Sequence, residues 1–304
     1  MNQNATRILL GTAITVGSAA LLAGDAALAH WTSLHFAPGF WALMLAALVG
    51  GCSEIFRMLE SRGHPAQRRL GLVFILLFVA TAFCETQRFE PHIRAWLHDR
   101  GLEVYLMLVV ALVFATFLAE VGRVERRGND MPRALASVAW TVLAVLTVGL
   151  LGVFLAKVRF LSADPMTGLG YLVLTVAVVK GSDIGAYTVG RLAGRHKLVP
   201  TLSPSKTVEG AVGGLAAGIG AALAVGMGWC GFSWPAMILF GTVVATTAVL
   251  GDLAESLIKR GLGAKDSGRL PGFGGILDIL DSMLPAGPVA YLLLVVLTGG
   301  TSAG

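Results

Sequence analysis

The sequence predicts an all-α, polytopic membrane protein of about nine transmembrane helices, with a polar, cytoplasm-facing site built by the carboxyl-terminal helices. Three observations predict it. Of 304 residues, 55% are hydrophobic and only 13% charged, against about 25% charged in a soluble domain. Long uncharged runs account for the missing charge. Ionisable residues then return inside the last of those runs.

The runs are Ile8 to Ala23, Ala37 to Gly51, Leu70 to Cys84, Leu102 to Leu118 and Ala134 to Ala156, then Gly168 to Val189, Ala211 to Cys230, Ala236 to Leu257 and Met283 to Leu297. Each is long enough, or nearly so, to cross a hydrocarbon core of roughly 30 Å as a helix. Backbone groups in lipid must be satisfied within their own segment, which excludes open strands.

The net charge of +5 sits in the loops between the runs. That placement argues for topology and against a nucleic-acid partner. With the amino terminus inside, 17 of the 23 lysines and arginines fall on cytoplasmic segments. Only Arg88, Arg94, Arg100, Lys157 and Arg159 fall on the opposite side, and Lys180 lies within a span. The positive-inside rule then places the chain in the cell's inner (plasma) membrane, amino terminus cytoplasmic and carboxyl terminus outside. Arg7 and Ala27-Leu28-Ala29 also fit a cleaved leader, but the apolar run is long for one. The three cysteines, Cys52, Cys84 and Cys230, have no paired spacing and read as small apolar side chains.

The chain divides in character near residue 165. Residues 1–165 read as scaffold helices of Leu, Val and Ala, and residues 166–304 as a catalytic region. Glu54 and Glu120, at predicted cytoplasmic helix ends, read as interfacial and non-catalytic. Beyond Gly168 the spans carry Lys180, Asp183, Glu209, Asp252, Glu255, Asp278 and Asp281. Such groups are costly in a membrane and face a protein interior or a wet cavity.

Helical spacing puts Asp252, Glu255 and Lys259 on one face, with Ser256 adjacent. Asp278 and Asp281, three apart, share a face if helical. Two acidic pairs beside a basic loop can gather oxygen ligands for a hard divalent cation, and magnesium takes one or two carboxylates plus substrate phosphates. Pro271-Gly272-Phe273-Gly274-Gly275 breaks the helix before Asp278, and its glycines let backbone approach a ligand. In Ser203-Pro204-Ser205-Lys206-Thr207-Val208-Glu209, Ser203 or Ser205 is expected to cap the next helix. Lys206 at that helix start opposes the dipole, so it reads as a phosphate ligand. Asp183 and Tyr187 share a face; Asp183 can ligate metal, orient a base or hold Lys180, and spacing does not choose. Carboxylates for a cation and cations for phosphates, at one face of a bilayer, suit phosphoryl-type transfer from a soluble charged donor to a membrane-held acceptor.

These residues resemble the phosphatidate cytidylyltransferases (CDP-diacylglycerol synthases). The resemblance rests on Ser256-Leu257-Ile258-Lys259-Arg260, Lys265-Asp266-Ser267, Pro271-Gly272-Phe273-Gly274-Gly275 and Asp278-Ile279-Leu280-Asp281-Ser282. Ser182-Asp183-Ile184-Gly185-Ala186-Tyr187 and the Ser203 to Gly210 stretch are also similar. Phe273 and Ile279 stand where the family usually has His and Arg. The resemblance implies transfer of the cytidylyl group of CTP to phosphatidic acid, giving CDP-diacylglycerol and pyrophosphate. It implies Asp252, Asp278 and Asp281 as metal acids, with magnesium as cofactor and a second cation left open. Lys206, Lys259, Arg260 and Lys265 would contact phosphates; Ser203, Glu209, Glu255 and Asp266 would contact substrate or support the acids. Ser256, Gly274 and Gly275 are expected along the substrate, and Asp183 near the chemistry. Expected partners are CTP, phosphatidic acid and membrane lipid; a homodimer is left open. The alternatives are transfer to, or a kinase acting on, another lipid phosphate or alcohol, a cation-coupled transporter, and a relative that has lost activity.

Overall fold

The computed structural model describes residues 17–28, 37–86, 91–128, 130–264, 267–268 and 274–299. The helices are α1 (Gly17–Leu28), α2 (Pro38–Ser61), α3 (Arg68–Thr86), α4 (Pro91–Arg127), α5 (Met131–Val145), α6 (Leu151–Arg159), α7 (Pro165–Ala193), α8 (Val208–Gly228), α9 (Trp234–Gly261), α10 (Leu277–Leu280) and α11 (Met283–Leu297). A π-helical stretch, Leu146–Leu150, joins α5 to α6. Among the described residues eight helical stretches are long and apolar enough to span a membrane, and each overlaps one of the predicted runs from Ala37 onward. The predicted run Ile8 to Ala23 falls mostly outside the described residues, and α1 covers only its end. One departure from an all-helical reading is a small antiparallel hairpin, β1 (Lys197–Val199) with β2 (Ser203–Thr207).

The chain forms two compact units. One takes 33–153 with 262–278 and the amino-terminal residues; the other takes 154–261 with 279–304 and a short early segment. In the first, α2, α3, α4 and α5 pack around Leu48, Phe56, Leu59, Ile75, Phe78 and Leu112, all nearly fully buried. Asp25 of α1 accepts hydrogen bonds from the amides of Phe40, 2.7 Å, and Gly39, 3.3 Å, satisfying donors that open α2. Glu120 is buried and serves structure, accepting from Gln67 Nε2 at 2.8 Å and Ser137 Oγ at 2.6 Å and pairing with Arg123. Arg62 Nη2 donates to the Gly263 carbonyl at 2.5 Å, tying the end of α2 to the chain beyond α9.

In the second unit α7 lies along α8, α8 along α9, and α9 along α11. Lipid tails are as apolar as leucine, so helices here associate by close packing of small residues. A Cβ added at Gly185 of α7 would sit 2.7 Å from the Gly213 carbonyl and 2.5 Å from the Ala217 Cβ of α8. One at Gly214 would sit 2.8 Å from the Ser182 carbonyl. The outward faces stay apolar: Leu102, Met107 and Val296 are each more than 70% exposed, as expected where the solvent is hydrocarbon. Cys52, Cys84 and Cys230 are all free thiols.

Candidate active site

Helix α9 carries Asp252, Glu255 and Lys259 on one face, as the spacing predicts. Lys259 Nζ pairs with Glu255 Oε2 at 2.9 Å, one turn away. Asp281, in the turn between α10 and α11, joins them. One carboxylate oxygen from each of Asp252, Glu255 and Asp281 lies within 4.8 Å of the others. The approach is close because Gly251 has no side chain: a Cβ there would meet Pro285 and fall 2.9 Å from the Asp281 carbonyl. Asp281 Oδ1 is held by the Ser282 amide at 2.6 Å and its hydroxyl at 2.9 Å. Ser256 Oγ lies 3.5 Å from Asp252 Oδ1.

Lys206 reaches this group from the hairpin, its Nζ 2.6 Å from Asp252 Oδ2. The hairpin itself is held by Glu209, which accepts from the amides of Arg195 at 3.0 Å and His196 at 3.2 Å and pairs with His196 Nδ1 at 2.5 Å. The cap of α8 is Thr207, which accepts from the Gly210 amide at 3.1 Å; this corrects the expected cap at Ser203 or Ser205. Both serines lie in β2, whose pairing of Val199 with Ser203 and Lys197 with Thr207 carries extended backbone up to Thr207. Of the readings left open for Asp183, the structure shows it holding Lys180, at 3.2 Å, while the same ammonium donates to the Ile279 carbonyl at 3.2 Å.

Asp278 belongs to the other unit. There its Oδ2 accepts from the Ser267 amide at 3.1 Å and hydroxyl at 2.9 Å. Gly274 has φ +79°, a conformation open to glycine, and Gly275 is buried. Arg260 is exposed at the end of α9. Lys265, Asp266 and Phe273 lie outside the described residues.

The donor set suits a hard cation. Three carboxylates face two lysines, so ionised the group is one positive charge short. Both oxygens of Glu255 are buried, with Lys259 on Oε2 at 2.9 Å. Buried carboxylate oxygens of this kind are costly unless a charge partner supplements Lys259. All-oxygen ligands are what magnesium and calcium select. Glu255, paired with Asp252 by helical spacing and placed by the resemblance as a contact to substrate or a support for the acids, is one of the clustered acids.

Fold and site together define a multi-pass membrane protein with an acid-lined polar centre among its carboxyl-terminal helices. Comparison with known proteins makes the class specific. The cytidylyltransferase family matches residues 17–297. A phosphatidate cytidylyltransferase of Mycobacterium bovis is 38% identical over 194 residues, covering 63% of this chain and 62% of that protein. One from Mycobacterium leprae is 33% identical over 270 residues, 87% of this chain and 83% of its own length. One from Staphylococcus saprophyticus is 35% identical over 205 residues, covering 66% and 72%. The match spans about three fifths of the Mycobacterium bovis and Mycobacterium tuberculosis relatives, 62% and 58%. The chain belongs to the cytidylyltransferase family.

Proposed function

We propose that this protein transfers the cytidylyl group of CTP to phosphatidic acid, releasing pyrophosphate and leaving CDP-diacylglycerol in the membrane. The observation that carries the reading is the cluster of Asp252, Glu255 and Asp281 flanked by Lys206 and Lys259, in a chain whose family relatives are named for this reaction. The membrane is the cell's inner membrane, with the amino terminus cytoplasmic and the carboxyl terminus outside, as the loop charges favour.

Asp252, Glu255 and Asp281 would hold magnesium; Asp278 is a further metal acid by the family resemblance alone. When bound, magnesium would bind the nucleotide phosphates and offset the charge that develops as pyrophosphate leaves. Lys206 and Lys259 release their carboxylates in part and turn toward phosphate oxygens, and Arg260 and Lys265 are further phosphate contacts by the family resemblance. Asp183 fixes Lys180, and Lys180 fixes the turn at Ile279. Glu209 fixes the hairpin and so Lys206. A phosphatidate oxygen forms the new bond to the α phosphorus of CTP as the bond to the bridging β oxygen breaks. That oxygen is already anionic near neutral pH, so no general base is required. Residues 1–165 act as scaffold in this account, and residues 166–304 carry the chemistry.

The test is direct. Purified protein with magnesium, labelled CTP and phosphatidate should put label into the lipid phase and release pyrophosphate. Parallel reactions with polyprenyl phosphate and an isoprenoid-ether phosphate should be slower. Folded protein that makes no labelled lipid from any of these acceptors would sink the reading.

A further inference from the structure

Sequence alone assigns Glu54 an interfacial place without a catalytic part. The structure buries it in α2 at 3% exposure. Its carboxylate receives the Ile276 amide at 3.0 Å, the Leu277 amide at 2.9 Å and the Ser267 hydroxyl at 3.0 Å. The partners lie more than 200 positions away in the chain. Room is kept for the carboxylate by two glycines: a Cβ at Gly268 would fall 2.6 Å from Glu54 Oε1, and one at Gly275 would run into Oε2 and the Ser267 hydroxyl. Among the described residues no lysine or arginine pairs with Glu54, so hydrogen bonds from this stretch bear most of the cost of burying its charge.

Ser267 links this clasp to the acids. Its Oγ lies 3.0 Å from Glu54 and 2.9 Å from Asp278. A hydroxyl has one proton to donate, so it serves one carboxylate at a time. The Ser267 amide adds a second bond to Asp278 at 3.1 Å. Glu54 thus holds the backbone just before Asp278 and also the serine that orients its carboxylate.

We propose that Glu54 is a positioning residue for cytidylyl transfer, acting through Ser267 and the Ile276–Leu277 amides to set where Asp278 projects. The proposal rests on the activity described above. Its role is orientation: Glu54 touches neither substrate nor reacting atoms. Asp at this position keeps the charge but falls one methylene short. Gln keeps the length but turns one acceptor into a donor facing a donor.

The test combines kinetics with amide exchange on the full-length protein in nanodiscs. In Glu54→Gln, exchange at the Ser267, Ile276 and Leu277 amides should rise while α9 stays protected. The maximal rate should fall about tenfold to a hundredfold, as for misplaced catalytic groups, with the KM for CTP changing far less. Ser267→Ala, which removes only the shared hydroxyl, should lower the rate per folded molecule severalfold, with a small drop in melting temperature from the lost hydrogen bond. If Glu54→Gln fails to fold, Ser267→Ala and Glu54→Asp decide in the same way, Asp recovering part of the rate. Freed amides with an undiminished maximal rate would overturn the proposal. So would a rate that falls only with the folded fraction. Wild-type protein that transfers no cytidylyl group would remove the activity reading instead, while the exchange data would still report whether the clasp exists.

Discussion

Asp281→Asn is expected to abolish cytidylyl transfer, by about a thousandfold or more, while the protein remains folded. Asparagine has nearly the same shape and its carbonyl oxygen can still accept from the Ser282 amide, now 2.6 Å from Asp281 Oδ1. What disappears is a negative charge beside Asp252 and Glu255, from a group whose ligand atoms lie within 4.8 Å. Crowded carboxylates repel one another, so relieving one leaves stability unchanged or improved. A loss of rate with an unchanged melting temperature therefore separates a chemical role from a structural one. Label transfer into lipid and a thermal melt in the same detergent measure both. Undiminished turnover would remove Asp281 from the site.

Gly185→Val is expected to have the second largest effect, through packing. Its Cβ position is 2.7 Å from the Gly213 carbonyl and 3.2 Å from the Gly214 Cα. Backbone cannot swing aside as a side chain can, so α7 and α8 must separate. Overpacking a well-fitted core costs about 1–3 kcal/mol and sometimes more, and a clash with backbone belongs at the upper end. Activity falls with it, because α8 begins at the hairpin that brings Lys206 to Asp252 at 2.6 Å. Gly220→Ala is the control: nothing lies within 4 Å of that Cβ position, and alanine is the better helix former. Melting temperature and yield of folded protein should drop for the valine variant and hold for the control. Equal stability of the two would contradict the close-packed account of the second unit.

Much of the fold is legible in the sequence because a membrane leaves few solutions. An uncharged run such as Ala134 to Ala156 can satisfy its backbone in lipid only as a helix, and Met131–Arg159 is helical in the structure, with a π-helical turn inside. The α9 face is legible for a similar reason: positions 252, 255 and 259 meet on any α-helix. The hairpin is not, because three- and five-residue strands rich in Ser, Lys and Pro carry no alternating pattern to detect. That same pairing moves the α8 cap from the serines to Thr207. Partners distant in sequence are illegible for a deeper reason. Nothing local to Glu54 announces Ser267, and nothing local to Lys206 announces Asp252, since only the fold brings them together. Asp183 shows the intermediate case. Spacing admits Lys180 as its partner among others, and the geometry selects it at 3.2 Å.

In the proposed site Asp252, Glu255 and Asp281 gather one divalent cation for the nucleotide. Crystals grown with Mn2+ and CTP, measured by anomalous scattering, should show a manganese peak within bonding distance of these carboxylates, with CTP phosphate oxygens completing its shell. A well-ordered nucleotide whose metal lies elsewhere, with Lys206 and Lys259 still seated on Asp252 and Glu255, would contradict it.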